Sequence, residues 1–309
     1  MSDMEKEQLR KDFEEGRIPK SNYIRKMHEI HSAQLFSYSD FIKDTDIGEI
    51  QITPQRVVVV TRRNGIRLIC DPDDQRLVPN EILNFRDYEA EEVESIIGLI
   101  RASSKPEPVV FDIGANIGWY SMRIAQEFRR ARLFAFEPIP STFKLLSENL
   151  RLNSIENVQA LNYGLSDENK DVSFYYYREE SGNASLSNVA GRNSVELIES
   201  RVRKLDDVVN ELGVFPDFIK CDVEGAELKV FKGAINTLKT RTPTVLTEML
   251  RKWSAKFDYH PNDIIALFSD IGYECFVVKN GKLVRFHSVT DDTVETNYIF
   301  RHRDKRDPQ

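Results

Sequence analysis

Cysteine, excess positive charge and long apolar runs are all scarce in this chain of 309 residues, and each scarcity closes off a class of protein. The three cysteines, Cys70, Cys221 and Cys275, stand far apart and form no C-x-x-C pair, so neither a disulfide framework nor a structural zinc site is expected. No stretch approaches the roughly 20 apolar residues of a membrane-spanning helix. The opening MSDMEKEQLRKDFEEG is charged where a secretory signal would be apolar, and a cytoplasmic address follows as the expectation. Net charge is −7, which argues against sequence-independent binding of nucleic acid; the pairs Arg62-Arg63 and Arg129-Arg130 read as solvated charge. Internal repeats are missing. What is present, 40% hydrophobic and 30% charged residues, suits a globular chain able to bury a core.

Residues 3–43 show helical spacing broken at Gly16 and Pro19. The period then changes. RVVVVTRRNGIRLIC is a β-branched run, an Asn64-Gly65 pair suited to a type I′ turn, and a second strand, which together predict a hairpin. Residues 1–80 hold few large apolar side chains and are expected to form an extension docked on a domain spanning 81–309. From residue 88 helices and strands alternate. The spacing predicts a helix over 89–101, then strands VVFDI, LFAFE, VQALNYGLS, DFIKCD and TVLTEM, separated by helices over 118–129, 141–152, 205–212 and 225–239, and a last helix over 262–271. Strands joined through helices require crossovers, so an α/β fold with a mostly parallel sheet covered on both faces is expected. DVSFYYYRE reads as an antiparallel excursion. YECFVVK and TNYIFR, joined near Asn280-Gly281, are expected to pair and to put an antiparallel strand in the sheet. The Ser/Asn/Gly-rich stretch 179–194 reads either as a lid or binding loop or as plain disorder.

In open α/β sheets ligands bind beyond the carboxyl ends of the strands, and Gly114-Ala115-Asn116-Ile117-Gly118 follows VVFDI at such an end. A dinucleotide site uses glycines to bring backbone N–H groups against a pyrophosphate. Here the third glycine position falls within Trp119-Tyr120-Ser121, and Asp112 sets a negative charge where phosphates would lie. S-adenosylmethionine has no phosphate and carries an ammonium and a sulfonium, so a carboxylate attracts it. Glu137 closes the second strand, where an acidic side chain can accept both ribose hydroxyls. Asn162, Tyr163 and Gly164 end the third and would flank the adenine. The competing readings are a turn carboxylate for Asp112 and a surface residue for Glu137. The expected cofactor set is thus Asp112, Gly114, Asn116, Gly118, Glu137, Asn162, Tyr163 and Gly164, joined by Asp222 from the fourth strand.

FDIGANIGWYSMRIA, FEPIPSTFKLLSENLRLN, FIKCDVEGAELKVFKGA and LTEM resemble, in order, the motifs of the FkbM family of S-adenosylmethionine-dependent methyltransferases. The resemblance implies a Rossmann-like class I methyltransferase fold, a mostly parallel seven-stranded sheet with one antiparallel strand, here extended by N-terminal helices and a β-hairpin. It also implies O-methylation of a sugar, a glycoconjugate or a natural-product small molecule, with some family members acting on carboxylates.

CDVEGAEL puts Asp222 at a strand end with Glu224 and Glu227 just beyond, and TVLTEML puts Glu248 at the next strand end. Carboxylates so placed repel one another unless compensated. Asp222 is expected to face the cofactor and the reaction centre. Glu224 and Glu248 would hold or remove the acceptor's proton, or Asp222, Glu224 and Glu248 would hold a divalent cation such as Mg²⁺. Glu227 reads as stabilising the start of the following helix. His260, in KFDYHPND, is a second candidate base or an ordinary turn histidine. Of Tyr175, Tyr176 and Tyr177, at most two share a strand face and could stack on a sugar. Trp119 and Tyr120 either line the cofactor cleft or pack on the sheet. Carboxylate or amine methylation of a peptide-like natural product, nicotinamide-dependent oxidoreduction and a catalytically idle cofactor-binding protein are the competing functions; the missing glycine and Asp112 count against the nicotinamide. The expected partner is a small-molecule or glycan acceptor, with neither nucleic acid nor a membrane span. The N-terminal extension either covers the acceptor site or makes a homodimer contact.

Overall fold

The computed structural model describes residues 3–188, 195–279 and 281–305. Along the chain run α1 (Asp3–Glu14), α2 (Lys20–Phe41), β1 (Ile47–Ile52), β2 (Val57–Thr61), β3 (Arg67–Cys70), α3 (Val78–Phe85), α4 (Ala90–Ala102), β4 (Val109–Ile113), α5 (Trp119–Glu127), β5 (Arg132–Phe136), α6 (Pro140–Leu152), β6 (Val158–Leu161) and β7 (Gly164–Leu165). They are followed by β8 (Lys170–Tyr176), β9 (Glu196–Arg203), α7 (Leu205–Leu212), β10 (Phe218–Cys221), α8 (Glu227–Lys232), α9 (Ile235–Arg241), β11 (Thr244–Glu248), α10 (Arg251–Ser254), α11 (Pro261–Asp270), β12 (Tyr273–Lys279), β13 (Lys282–Phe286) and β14 (Asn297–His302). Among the described residues no helix is long and apolar enough to cross a membrane.

The central sheet has the order β13-β12-β14-β11-β10-β4-β5-β6. β11, β10, β4, β5 and β6 pair in parallel, and β14 is antiparallel to both β11 and β12. This is the expected Rossmann-like sheet with its one reversed strand, extended by an eighth strand at the edge. The turn at Gly281 joins β12 to that edge strand, β13, and TNYIFR runs between β12 and β11 instead of pairing across the turn; Asn280 itself lies outside the described residues. KLVRF carries Lys282 and Arg285 toward solvent, which suits an edge strand and hides it from a search for apolar runs. The predicted helix over 225–239 is two helices. Gly233 separates them because its backbone lies against β7's continuation: a Cβ there would fall 2.0 Å from the Ser166 carbonyl oxygen.

The excursion strand β8 pairs with the largely charged β9, and β7 joins β9 in a small sheet. Ahead of the predicted hairpin an additional strand, β1, completes a three-stranded antiparallel sheet. Its β2–β3 turn is not of type I′, which requires positive φ at both central residues: only Gly65 is left-handed (φ 68), and Gly65 N–H donates to the Thr61 carbonyl at 3.0 Å. Asn149 of α6 and Asn153, which caps its C-terminus, dock this sheet by accepting from the Ile69 and Arg67 N–H groups (3.1 and 2.8 Å). Ile47, Val59 and Leu68 share one apolar core with Ile96 and Ile100 of α4, Ile124 of α5 and Leu146 of α6. A second core covers the other sheet face under α7, α8, α9 and α11. By contrast α2 buries only Ile30.

Candidate active site

The carboxyl ends of β4, β5 and β10 meet at one cleft, with the end of β11 beside it. Gly114 is left-handed (φ 76), and a Cβ there would lie 1.8 Å from the Asp222 carbonyl oxygen, so the β4 turn and the end of β10 touch backbone to backbone and only glycine fits. Asn116, also left-handed (φ 49), donates its N–H to Glu137 Oε2 at 2.9 Å, and Ile139 N–H donates to Glu137 Oε1 at 2.9 Å. Burial pushes the Glu137 carboxyl up to about 7 against these bonds. Gly114, Asn116, Glu137, Gly164, Asp222 and Glu224 line the cleft together with Tyr88 and Phe174, and the segment Ser181–Leu186 crosses it, leaving a cavity of about 100 Å³. Phe174 enters from β8, so the aromatic run in that strand reaches the cleft through its phenylalanine, while Tyr176 and Tyr177 are buried in packing.

Other expected cofactor residues serve the cleft from behind. Asp112 is fully buried; Ser121 Oγ donates to its Oδ2 at 2.6 Å, and Lys220 Nζ stands 3.8 Å from its Oδ1. Burial raises its pKa and Lys220 opposes that, and the carboxyl is not part of the cleft's lining. Gly118 is a packing glycine at the start of α5, where a Cβ would fall 2.4 Å from Leu146 Cδ1. Asn162 Nδ2 donates to the Glu137 and Pro138 carbonyls (2.9 and 3.2 Å) and so steadies the β5 turn. Tyr163 packs edge-on against Phe136 and under the Arg203 guanidinium.

The turn after β10 carries Glu224 with left-handed backbone (φ 55), next to Gly225 (φ 98). Such a conformation in a non-glycine residue persists only where its surroundings hold it. Glu227 does so: its Oε1 accepts from the Val223 and Gly225 N–H groups (3.2 and 3.0 Å), and Tyr259 OH donates to its Oε2 at 3.0 Å. Burial sets the Glu227 carboxyl at about 7. The consequence is convergence. Asp222, Glu224 and Glu248 each bring a carboxylate oxygen within 4.8 Å of the others, and Asp222 Oδ1, Glu224 Oε2 and the nearby Asn116 Oδ1 are buried without a hydrogen-bond partner. Burial, then Asp222 and Glu248, push Glu224 well above the usual carboxylate range; burial, then Asp222 and Glu89, push Glu248 up to about 9.

His260 is not part of this convergence. It is the N-cap of α11, with its Nδ1 accepting from Asn262 N–H at 3.2 Å and its own N–H donating to Asp263 Oδ2 at 2.8 Å, and the residue is exposed. Capping accounts for it.

Sequence reasoning overlooked Lys220. Its Nζ donates to the Gly114 carbonyl (3.0 Å) and to Asp222 Oδ2 (3.4 Å) and lies 5.0 Å above the Tyr120 ring. Burial alone would lower its pKa, but Asp222, Asp112 and Glu89 outweigh that and hold it above the usual lysine range. The signal was present: a lysine inside a wholly buried strand, FIKC, needs a counter-charge. Tyr88 and Glu89 were also overlooked, and nothing in the sequence before α4 marks them. Glu89 shares a second cavity, of about 10 Å³, with Tyr120, Lys220, Asp222 and Glu248.

Among the described residues no lysine, arginine or histidine lines the main cleft, and its orphaned side-chain atoms are the oxygens Asn116 Oδ1, Asp222 Oδ1 and Glu224 Oε2 and the Ser181 hydroxyl. A phosphate would find no counter-charge there; a cationic, hydroxylated nucleoside would.

A family model described as the methyltransferase FkbM domain matches residues 112–275, more than half of the chain. The chain is 31% identical over 163 residues to methyltransferase sdnD of Sordaria araneosa, covering 43% of this chain and 62% of that one. It is 32% identical over 161 residues to hexuronic acid methyltransferase AglP of Haloferax volcanii (52% and 63%) and 30% identical over 165 residues to 2-O-methyltransferase NoeI of Sinorhizobium fredii (48% and 66%). The matched segments thus span less than two thirds of each relative. A crystal structure of methyltransferase FkbM from Methylobacillus flagellatus aligns over 63% of this chain and 44% of its own, with 20% identity and a TM-score of 0.41.

Proposed function

The chain belongs to the FkbM methyltransferase family, and from that membership we propose that it binds S-adenosylmethionine in the cleft between Gly114 and Asp222 and methylates a hydroxyl of a sugar, glycoconjugate or other small molecule. The observation that carries this reading is the set of buried, unpartnered oxygens Asn116 Oδ1, Asp222 Oδ1 and Glu224 Oε2 in a cleft with no basic side chain among its described lining residues. Unpaired buried acceptors are costly, and an ammonium or a hydroxyl relieves them. Glu137, whose oxygens each use one lone pair on a backbone N–H, keeps acceptor capacity for ribose hydroxyls. Asp222 and Asn116 suit the ammonium, and the Gly164 backbone suits the base edge.

When bound, the cofactor supplies an electrophilic methyl on sulfur. The protein's share is to hold the acceptor oxygen in line with it, which is worth about 7–11 kcal/mol when well realised, and to take up the hydroxyl proton. Glu224 and Glu248 flank Asp222 where that oxygen would stand, and both favour the protonated form, which equips them to donate to the acceptor's oxygens and orient it. Lys220 already sets a fixed cation against Asp222, so the reaction as read here needs no Mg²⁺. The names of two relatives, a 2-O-methyltransferase and a hexuronic acid methyltransferase, support a sugar-like acceptor; the carboxylate-rich cleft favours a hydroxyl over a carboxylate as the methylated group.

The test is incubation with methyl-labelled S-adenosylmethionine and a panel of glycosides, glycoconjugates and natural-product alcohols, with and without EDTA. Label should enter an ether-forming hydroxyl at a rate EDTA leaves unchanged. Labelling confined to carboxylates or amines, or binding of NAD in place of S-adenosylmethionine, would overturn the reading.

A further inference from the structure

Outside the segment matched by the family model, ahead of α4, two consecutive residues reach the two sides of Asp222. Glu89 precedes α4 in the N-cap position yet makes no capping bond, and its backbone is left-handed (φ 46, ψ 38). An L-residue keeps that conformation only where the surroundings enforce it, and here it divides the pair: Tyr88 lines the main cleft beside Asp222 and Glu224, whereas Glu89 lines the small cavity beyond. Asp222 borders both. Glu89 stands beside the Tyr88 and Tyr120 phenols and shares its cavity with Lys220, Asp222 and Glu248. A carboxylate that neither caps its helix nor reaches solvent freely, but stands next to a phenol that lines the cleft, is suited to receive a proton from that cleft.

We propose that Tyr88 and Glu89 carry away the proton of the acceptor hydroxyl, an inference that rests on the O-methylation reading above. As the acceptor oxygen bonds to the methyl carbon, its proton moves to Tyr88 Oη while the Tyr88 phenol proton moves to the Glu89 carboxylate; the S–C bond breaks with its electron pair left on sulfur. One carboxylate and one sulfonium are neutralised, so charge balances. The Tyr88 phenol is held well above the usual tyrosine range, by burial and then by Glu89 and Asp222, so it relays the proton and is never itself the anion. Glu89 lies outside the main cleft's lining, which separates the proton from the methylated product. Lys220 keeps the cavity around Glu89 from accumulating only negative charge.

The experiment compares the full-length protein with Tyr88→Phe, Glu89→Gln and Glu89→Asn, the last chosen because asparagine tolerates left-handed backbone. Three readouts are taken: kcat against pH with the acceptor found by the labelling panel, S-adenosylhomocysteine affinity by calorimetry, and the melting temperature. Removing a positioned proton acceptor should lower kcat by about 10²–10⁴-fold. The acidic limb of the wild-type pH profile should vanish in both Glu89 variants, while cofactor affinity and acceptor KM stay within about threefold. A variant that retains kcat within threefold, an acidic limb that persists in the Glu89 variants, or a tenfold loss of cofactor affinity would overturn the inference. If one variant does not fold, the others decide. Wild-type protein that methylates no hydroxyl removes the O-methylation reading first and this inference with it; an active wild type with indifferent variants removes this inference alone.

Discussion

Lys220 decides the electrostatics of this site. Three acids, Asp112, Asp222 and Glu89, surround it, and the backbone of Asp222 touches the Gly114 turn that shapes the cleft. Breaking a buried pair by removing one partner costs about 3–5 kcal/mol because the remaining charge is left uncompensated. Lys220→Met should therefore lose stability of that order in urea unfolding at pH 7, and acidification should recover part of it as Asp112 takes up a proton. A loss under about 1 kcal/mol would mean that the ammonium is not the counter-charge. Glu227 makes a related point. A glutamate in the first turn of a helix reads as a partner for the helix dipole, yet here its oxygens hold the turn that aims Glu224. Residue type and position were legible; which atoms the carboxylate reaches was not.

At the scale of elements, the part that decides access is the segment that follows β8. Ser181 N–H donates to Asp74 Oδ2 at 3.1 Å, Gln75 N–H donates to the Glu179 carbonyl at 2.8 Å, Arg178 pairs with Asp73, and Ser185 Oγ donates to the Glu224 carbonyl at 2.8 Å. Stretch 179–194 was expected to be a lid, a binding loop or disorder; residues 189–194 lie outside the described residues, and the rest is tied across the cleft by these bonds. Small-molecule pockets usually measure about 300–1,000 Å³, and the cavity beneath this segment is about 100 Å³, so on the proposed cofactor reading entry requires the segment to lift. Asp74→Ala loosens its anchor. Cofactor association measured by stopped-flow fluorescence should quicken several-fold, with limited proteolysis near residue 180 increased in the free protein; unchanged rates and cleavage would show that the segment does not limit entry. The anchoring residues come from the β3–α3 connection, far off in sequence, and no local pattern announces such a pairing.

Across the whole molecule, the buried acids link stability to pH. Burial raises Glu137 and Glu227 to about 7 and Glu248 to about 9, above the value near 4.3 of an unfolded glutamate. The folded protein then binds protons more tightly than the unfolded chain. The stabilisation from these groups is complete below the unfolded value and is lost as pH rises through 7 and then 9, by a few kcal/mol as an order of magnitude. The free protein should melt at lower temperature at pH 8.5 than at pH 6, and S-adenosylmethionine, whose positive charge favours the ionised acids, should flatten that slope and release protons on binding. A melting temperature that rises over this interval in the free protein would contradict the assignment. The β1–β3 sheet belongs to the same cooperative body through its shared core with α4, α5 and α6.

Period alone determined the alternation of strands and helices, and hence the parallel sheet with its ligand edge, because apolar spacing is a local property that crossover geometry turns into topology. The glycine turn after β4, the acids at successive strand ends and the family followed from local motifs. What the tertiary structure decided was every matter of direction and distance: that Asp112 turns inward to Ser121 and Lys220, that His260 is spent on a helix cap, that charged strands β9 and β13 pair with apolar ones, and that Tyr88 and Glu89 enter the site. Burial, and the partner that each buried charge must find, arise only when segments distant in sequence are packed together, so they are written in the fold and not in any stretch of the chain.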